Sequence, residues 1–195
     1  MTKRRIVCTT ACVVSCLVGA LFLSEDAPLA GAAVQASLIE DFDIILIAGR
    51  SFRSRIVRLF GGEADEWSHV GILYREDGRC FILHATPDTR DGNAVLLEPL
   101  DALFGRKAVS KCRVIRLAGL TPAQKNAIRR GFQKAQSEPH TFDYAFDTQE
   151  HSSIYCSELV LMVFSGIIRG VDIRRTVYPG VFGTLANSVT VLDYR

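Results

Sequence analysis

The sequence holds one tryptophan, two methionines and four histidines, and its six cysteines show no CxxC or CxxH spacing. Without that spacing a structural zinc site is not expected. Neither sign of charge dominates, with 23 Lys and Arg against 21 Asp and Glu, for a net charge of +2. Setting aside Lys3, Arg4, Arg5, Glu25 and Asp26 leaves 20 basic and 19 acidic residues, so charge offers no case for a nucleic-acid partner. Internal repeats and low-complexity tracts are also missing, which argues against a repeat array and against a disordered chain. What remains is a 195-residue chain with 48% hydrophobic and 23% charged residues. Those values suit one globular domain with a core large enough to need no disulfide staple.

The first 32 residues read as a targeting segment. Lys3-Arg4-Arg5 form a positive start, Ile6 to Leu23 an uncharged stretch, and Ala30-Gly31-Ala32 an A-x-A cleavage site. The stretch is 18 residues long, so residues 1–32 are expected to be either a signal peptide or an N-terminal membrane anchor. Val13-Val14-Ser15-Cys16 also resembles a lipobox, which would anchor the chain through a lipid on Cys16. Either route exports the protein to the periplasm or cell envelope. Residues 33–40 read as a linker and residues 41–195 as the functional domain.

Cys8, Cys12 and Cys16 belong to the targeting segment, leaving Cys80, Cys112 and Cys156 in the domain. An odd number in an oxidising compartment leaves at least one thiol without an intrachain partner. Whether Cys80 and Cys112 pair is not readable from spacing.

The domain alternates strand and helix signals. Asp43 to Ala48 is an apolar run of strand length, and Ser51 begins an amphipathic helix to about Phe60 that Gly61-Gly62 ends. His69 to Tyr74 and Cys80 to Thr86 flank Asp77-Gly78, a strong hairpin signal. With Glu76 opposite Arg79, Gly71 falls opposite His84 and His69 opposite Thr86. The two histidines then share a face on a diagonal, and Gly71 places no side chain between them. Further strands are expected at Ala94 to Leu97, Arg113 to Leu117 and Val189 to Leu192, with a short helix or turn at Asp101 to Phe104. Thr121-Pro122 starts a helix to about Gln136 with Ile128, Phe132 and Ala135 on one stripe. Last comes Ser152-Ser153-Ile154-Tyr155-Cys156-Ser157-Glu158-Leu159-Val160, two candidate capping serines before a cysteine in the first turn of an apolar helix.

A thiol at a helix start sits where the thiolate is favoured. The effect is worth about 0.3–1 kcal/mol, less than the ~1.4 kcal/mol of one pKa unit. Position alone therefore does not activate Cys156, and an imidazolium partner is required. Among the histidines, His69 and His84 lie on strands, while His140 and His151 lie in loop sequence. This selects Cys156 as nucleophile, with His69 and His84 as its partners. Tyr155 and His151 are candidate substrate contacts, with core packing an equal reading for Tyr155. Glu158 reads as structural. A metal held by Cys156, His69 and His84 is a further reading of the same residues.

Asp43-Ile44-Ile45-Leu46, Trp67-Ser68-His69-Val70-Gly71-Ile72 and Tyr155-Cys156-Ser157-Glu158-Leu159-Val160, in that order, resemble the YaeF/YiiX group of permuted papain-like amidases. That group lies within the NlpC-type cysteine hydrolases, with lecithin:retinol acyltransferase a more distant relative. The resemblance implies an α+β fold, circularly permuted and papain-like, in which an antiparallel sheet packs on the helix carrying the nucleophilic cysteine. It carries the nucleophile onto Cys156, the general base onto His69 and the third polar position onto His84. There the amidase group would have glutamate and the acyltransferase branch histidine.

The expected activity is that of an exported cysteine hydrolase cleaving an amide or ester through a Cys156 acyl-enzyme, without metal or organic cofactor. The expected substrate is a small-molecule, lipid or peptide-like acyl compound, and the N-terminal segment would provide any membrane association. An acyltransferase using the same acyl-enzyme is the first alternative. A non-catalytic envelope-associated binding module is the second.

Overall fold

The computed structural model describes residues 38–50, 66–87, 92–105, 109–149 and 152–194. The targeting segment, most of the linker, the helix expected after Ser51, and His151 lie outside these residues.

The main element is a six-stranded antiparallel sheet in the order β4-β3-β2-β1-β5-β8. Its strands are β1 (Ile44–Gly49), β2 (His69–Glu76), β3 (Arg79–Ala85), β4 (Val95–Pro99), β5 (Val109–Leu117) and β8 (Ser188–Tyr194). Among the described residues it is accompanied by the helices α1 (Leu100–Gly105), α2 (Pro122–Ser137) and α3 (Cys156–Val163), followed by a 3-10 turn at Pro179–Thr184. Two two-residue strands, β6 (Thr141–Phe142) and β7 (Ser153–Ile154), pair in parallel just ahead of α3. The α+β architecture matches the expectation.

β1 lies at the centre because it is apolar on both faces, as its unbroken Ile44-Ile45-Leu46-Ile47 run requires. Ile44 and Leu46 face one cluster with Val70, Ile72, Leu83 and the residues of α3. Ile45 and Ile47 face a second, smaller cluster with Leu73, Ile82 and Val114. Asp43, 1% exposed at the entrance to β1, is the polar exception. Its carboxylate accepts two hydrogen bonds from Arg116 at 2.8 Å and one from the Glu40 N–H at 2.9 Å, which satisfies the buried charge.

The hairpin adopts the expected register, from Glu76 opposite Arg79 to Ile72 opposite Leu83. Asp77 (φ 48°) and Gly78 (φ 75°) both take the left-handed conformation that a tight type I′ turn needs. The expected α2 also forms. Thr121 Oγ1 accepts from the Gln124 N–H, the Gln124 side chain accepts from the Thr121 N–H, and Ile128, Phe132 and Ala135 are buried. Sequence pattern placed strands short rather than wrong: β5 begins at Val109 and β8 runs to Tyr194. The β6–β7 pair was not expected, since two-residue strands carry no periodicity.

Candidate active site at the open end of the hairpin

α3 begins at Cys156, but its cap differs from the sequence expectation. Ser153 belongs to β7, and the N-cap residue is Tyr155. Glu158 does the capping work, its carboxylate accepting the Tyr155 N–H at 3.2 Å. Burial, followed by the charges of Asp143 and Asp147, raises the Glu158 carboxyl to about 7, while that hydrogen bond opposes the rise. Leu159, Val160 and Val163 anchor the helix on the sheet face lined by Ile44, Val70 and Ile72. Burying each such side chain is worth about 1.5–3 kcal/mol. This packing fixes the first turn of α3 against β2.

Cys156 is 7% exposed. Burial pushes its thiol up to about 11, while the Val70 N–H, the Ser157 hydroxyl and the Ser157 and Cys156 N–H groups act in the opposite sense. The sulfur is thus ringed by donors that would stabilise negative charge. Ser157 Oγ is fully buried and has no nitrogen or oxygen partner, leaving the neighbouring sulfur as its polar contact.

His69 and His84 come together as their spacing predicts. His69 Nε2 lies 2.8 Å from His84 Nδ1, with the rings nearly perpendicular at 81°. Gly71 permits this differently than expected. A Cβ there would lie 2.6 Å from Ile82 Cδ1 and 3.1 Å from the Leu83 carbonyl, so the space beside Gly71 belongs to Ile82. Burial lowers the His69 imidazole to about 3, and His84 adds in the same direction. Both shifts favour the neutral thiol and the neutral imidazole. Burial thus opposes the imidazolium–thiolate pair expected from residue types alone.

The sheet explains how the parts meet. By alternation, His69 and His84 share the face of Ile47 and Ile82, whereas α3 covers the opposite face. The paired register of β2 and β3 stops at Ile72–Leu83, and beyond it the thiol meets the Val70 N–H, in the plane of the sheet. The Val70 N–H thereby links the thiol to the strand that carries His69. Direct hydrogen bonding joins His69 to His84; among the described residues none joins the thiol to the His69 ring.

One further residue reaches the pair. Glu98 on β4 places Oε1 3.0 Å from His84 Nε2, an ion-pair contact that falls short of an aligned hydrogen bond. Its signal in the sequence was a lone acid on a strand next to β3, but the expected strand ended one residue earlier, at Leu97. Tyr155, by contrast, is a packing residue and not a substrate contact. It is 2% exposed, its hydroxyl accepts the Val177 N–H at 2.9 Å, and its ring packs edge-on against Phe146. Cys80 and Cys112 are free thiols that burial raises to about 11 and about 12.

A family model described as "permuted papain-like amidase enzyme, YaeF/YiiX, C92 family" matches residues 40–190. The chain belongs to that family. Membership makes it an enzyme of cysteine-hydrolase type and accounts for the antiparallel sheet and helices described above. The chain is also similar to a solved structure titled as metalloprotein yiiX from Escherichia coli O157:H7. That similarity has a TM-score of 0.60 at 20% identity and covers 78% of this chain and 96% of the other, which supports a common fold. No curated protein matches the chain.

A metal held by Cys156, His69 and His84 finds no matching donor set among the described residues. Among the described residues no group of three or more His, Cys, Asp or Glu side chains is arranged to hold an ion. The facing nitrogens of His69 and His84 are turned to each other.

Proposed function

We propose that this amidase-family chain cleaves an amide or ester of an acylated small molecule, lipid or peptide through a Cys156 thioester, with His69 as general base. The observation that carries this reading is the engagement of His69 Nε2 by His84 at 2.8 Å, beside the residue whose N–H meets the thiol. With Nε2 occupied, Nδ1 is the nitrogen left to serve sulfur.

The chemistry follows from a neutral pair. As Cys156 Sγ attacks the carbonyl carbon, its proton passes to His69 Nδ1, and a carbon–sulfur bond forms while the carbonyl π bond opens. The Cys156 N–H, in the first turn of α3, is placed to receive the oxyanion. The imidazolium then returns its proton to the departing amine or alkoxide as the carbon–nitrogen or carbon–oxygen bond breaks, leaving a thioester. A water deprotonated by His69 attacks that thioester, and sulfur leaves and recovers the proton. No step passes through a metal.

A second reading is favoured by one residue. A histidine at position 84, where the amidase group is expected to carry glutamate, supports transfer of the acyl group to an amine or alcohol. The N-terminal segment supports export and an envelope location for either activity.

Incubation with cell-envelope extract followed by mass spectrometry of the Cys156 peptide tests the proposal. An acyl adduct on Cys156 that is lost with hydroxylamine is the expected result and identifies the substrate class. Adducts equally abundant on Cys80 or Cys112 would overturn the assignment. Partition of the adduct between water and an added amine separates hydrolase from transferase.

A further inference from the structure

The carboxylate beside His84 has no role in the mechanism above, yet it faces the ring that holds the base. We propose that Glu98 is a positioning residue that fixes the tautomers of His84 and His69 in series, so that the unprotonated nitrogen of His69 is the one serving Cys156. The proposal rests on the Cys156–His69 reading and deepens it.

The argument runs through two rings. A carboxylate accepts hydrogen bonds and cannot donate them. With Glu98 Oε1 3.0 Å from His84 Nε2, a lone pair on that nitrogen would face a negative oxygen, whereas a proton there is attracted to it. In a neutral His84 the proton therefore sits on Nε2, and Nδ1 becomes an acceptor. His84 Nδ1 is the atom 2.8 Å from His69 Nε2, and two acceptors do not meet at that distance. His69 must then carry its proton on Nε2, which leaves Nδ1 as a lone pair.

The placement suits this work. His84 is only 4% exposed, so water does not compete for its nitrogens. On β3 and β4, His84 pairs with Leu96 and Ile82 with Glu98, which sets His84 and Glu98 on one face along a diagonal. During attack no proton travels along the chain. His69 gains the thiol proton on Nδ1 and keeps its Nε2–H on His84. The resulting positive charge is stabilised through the His84 dipole and the Glu98 charge. The arrangement makes the third polar position a two-part device, a histidine oriented by an acid on the next strand.

Glu98→Gln removes the charge and lets an amide N–H face His84 Nε2, which favours the opposite tautomer in both rings. With p-nitrophenyl acetate as probe, the expected result is a fall in kcat of roughly 10²-fold with KM within about twofold. This is short of the ~10⁴-fold seen when a carboxylate touching the base directly is neutralised. Glu98→Asp keeps the charge and should recover most of the loss. The 15N shifts of the His69 ring should report the Nε2–H tautomer in the native protein and in Glu98→Asp, and a shift toward Nδ1–H in Glu98→Gln. Native kcat and unchanged ring shifts in Glu98→Gln would overturn the proposal while leaving the catalytic reading intact. Ester hydrolysis that survives Cys156→Ala would instead overturn that reading. If Glu98→Gln does not fold, the native ring shifts decide, because a native His69 protonated on Nδ1 contradicts the relay.

Discussion

The two ends of the β2–β3 hairpin share one register but serve different purposes. At the closed end, Asp77 and Gly78 complete a tight turn, and Glu76 and Arg79 pair in solvent. At the open end the pairing stops after Ile72–Leu83, the Val70 N–H turns to the Cys156 thiol, and His69 and His84 hydrogen-bond each other. A closed hairpin would satisfy its own backbone groups and leave none for a ligand. The difference shows that ending the ladder frees the Val70 N–H for the thiol, with the turn setting the register that decides which residues stand at that end.

Four outcomes test that contrast. The largest is at the open end: His69→Ala should lower ester hydrolysis by about 10²–10⁴-fold. Thermal melting should move little, and a large drop in melting temperature would make His69 structural instead. Next is the pH profile. Because burial holds His69 down near 3 and Cys156 up near 11, His69 stays a neutral base well below the usual histidine range. kcat/KM should therefore persist at pH 5 and fall only as pH drops toward His69's own value. Alkylation of free Cys156 by iodoacetamide should climb with pH toward 11, since raising pH creates the thiolate; a plateau below pH 7 would instead show a resting ion pair.

Gly71→Ala comes third and addresses the boundary between the two ends. A methyl group 2.6 Å from Ile82 Cδ1 should cost about 1–3 kcal/mol in urea unfolding, and Ile82→Val should relieve part of it. The smallest effect belongs to the closed end. Gly78→Ala at φ 75° should cost about 1–2 kcal/mol and leave kcat unchanged. A loss of activity there would mean that the turn reaches the site by more than register.

Much of this was legible because local rules act over short distances. Asp77-Gly78 and strand alternation sufficed to put His69 and His84 on one face, and Thr121-Pro122 to start α2. The residues that escaped depend on packing. Tyr155 can be assigned to the core only once Val177 and Phe146 are seen beside it. Glu158 shows its capping role only when α3 is known to start at Cys156 rather than nearer the serines. Glu98 needed the β3–β4 register, which a nine-residue connection does not specify. The burial that disfavours charge on Cys156 and His69 was hidden for the same reason, because desolvation belongs to the fold and not to the motif.

β4 has a strand on one side only, as the outermost member of the sheet next to β3. The carboxylate facing the histidine pair thus hangs from an edge strand, while His69 stands on β2, which has a strand on either side, and Cys156 on the buried start of α3. Chemistry and foldability can then vary separately. Exchanging residues on β4 would retune how strongly the base pulls a proton, with little risk to the folding of the centre.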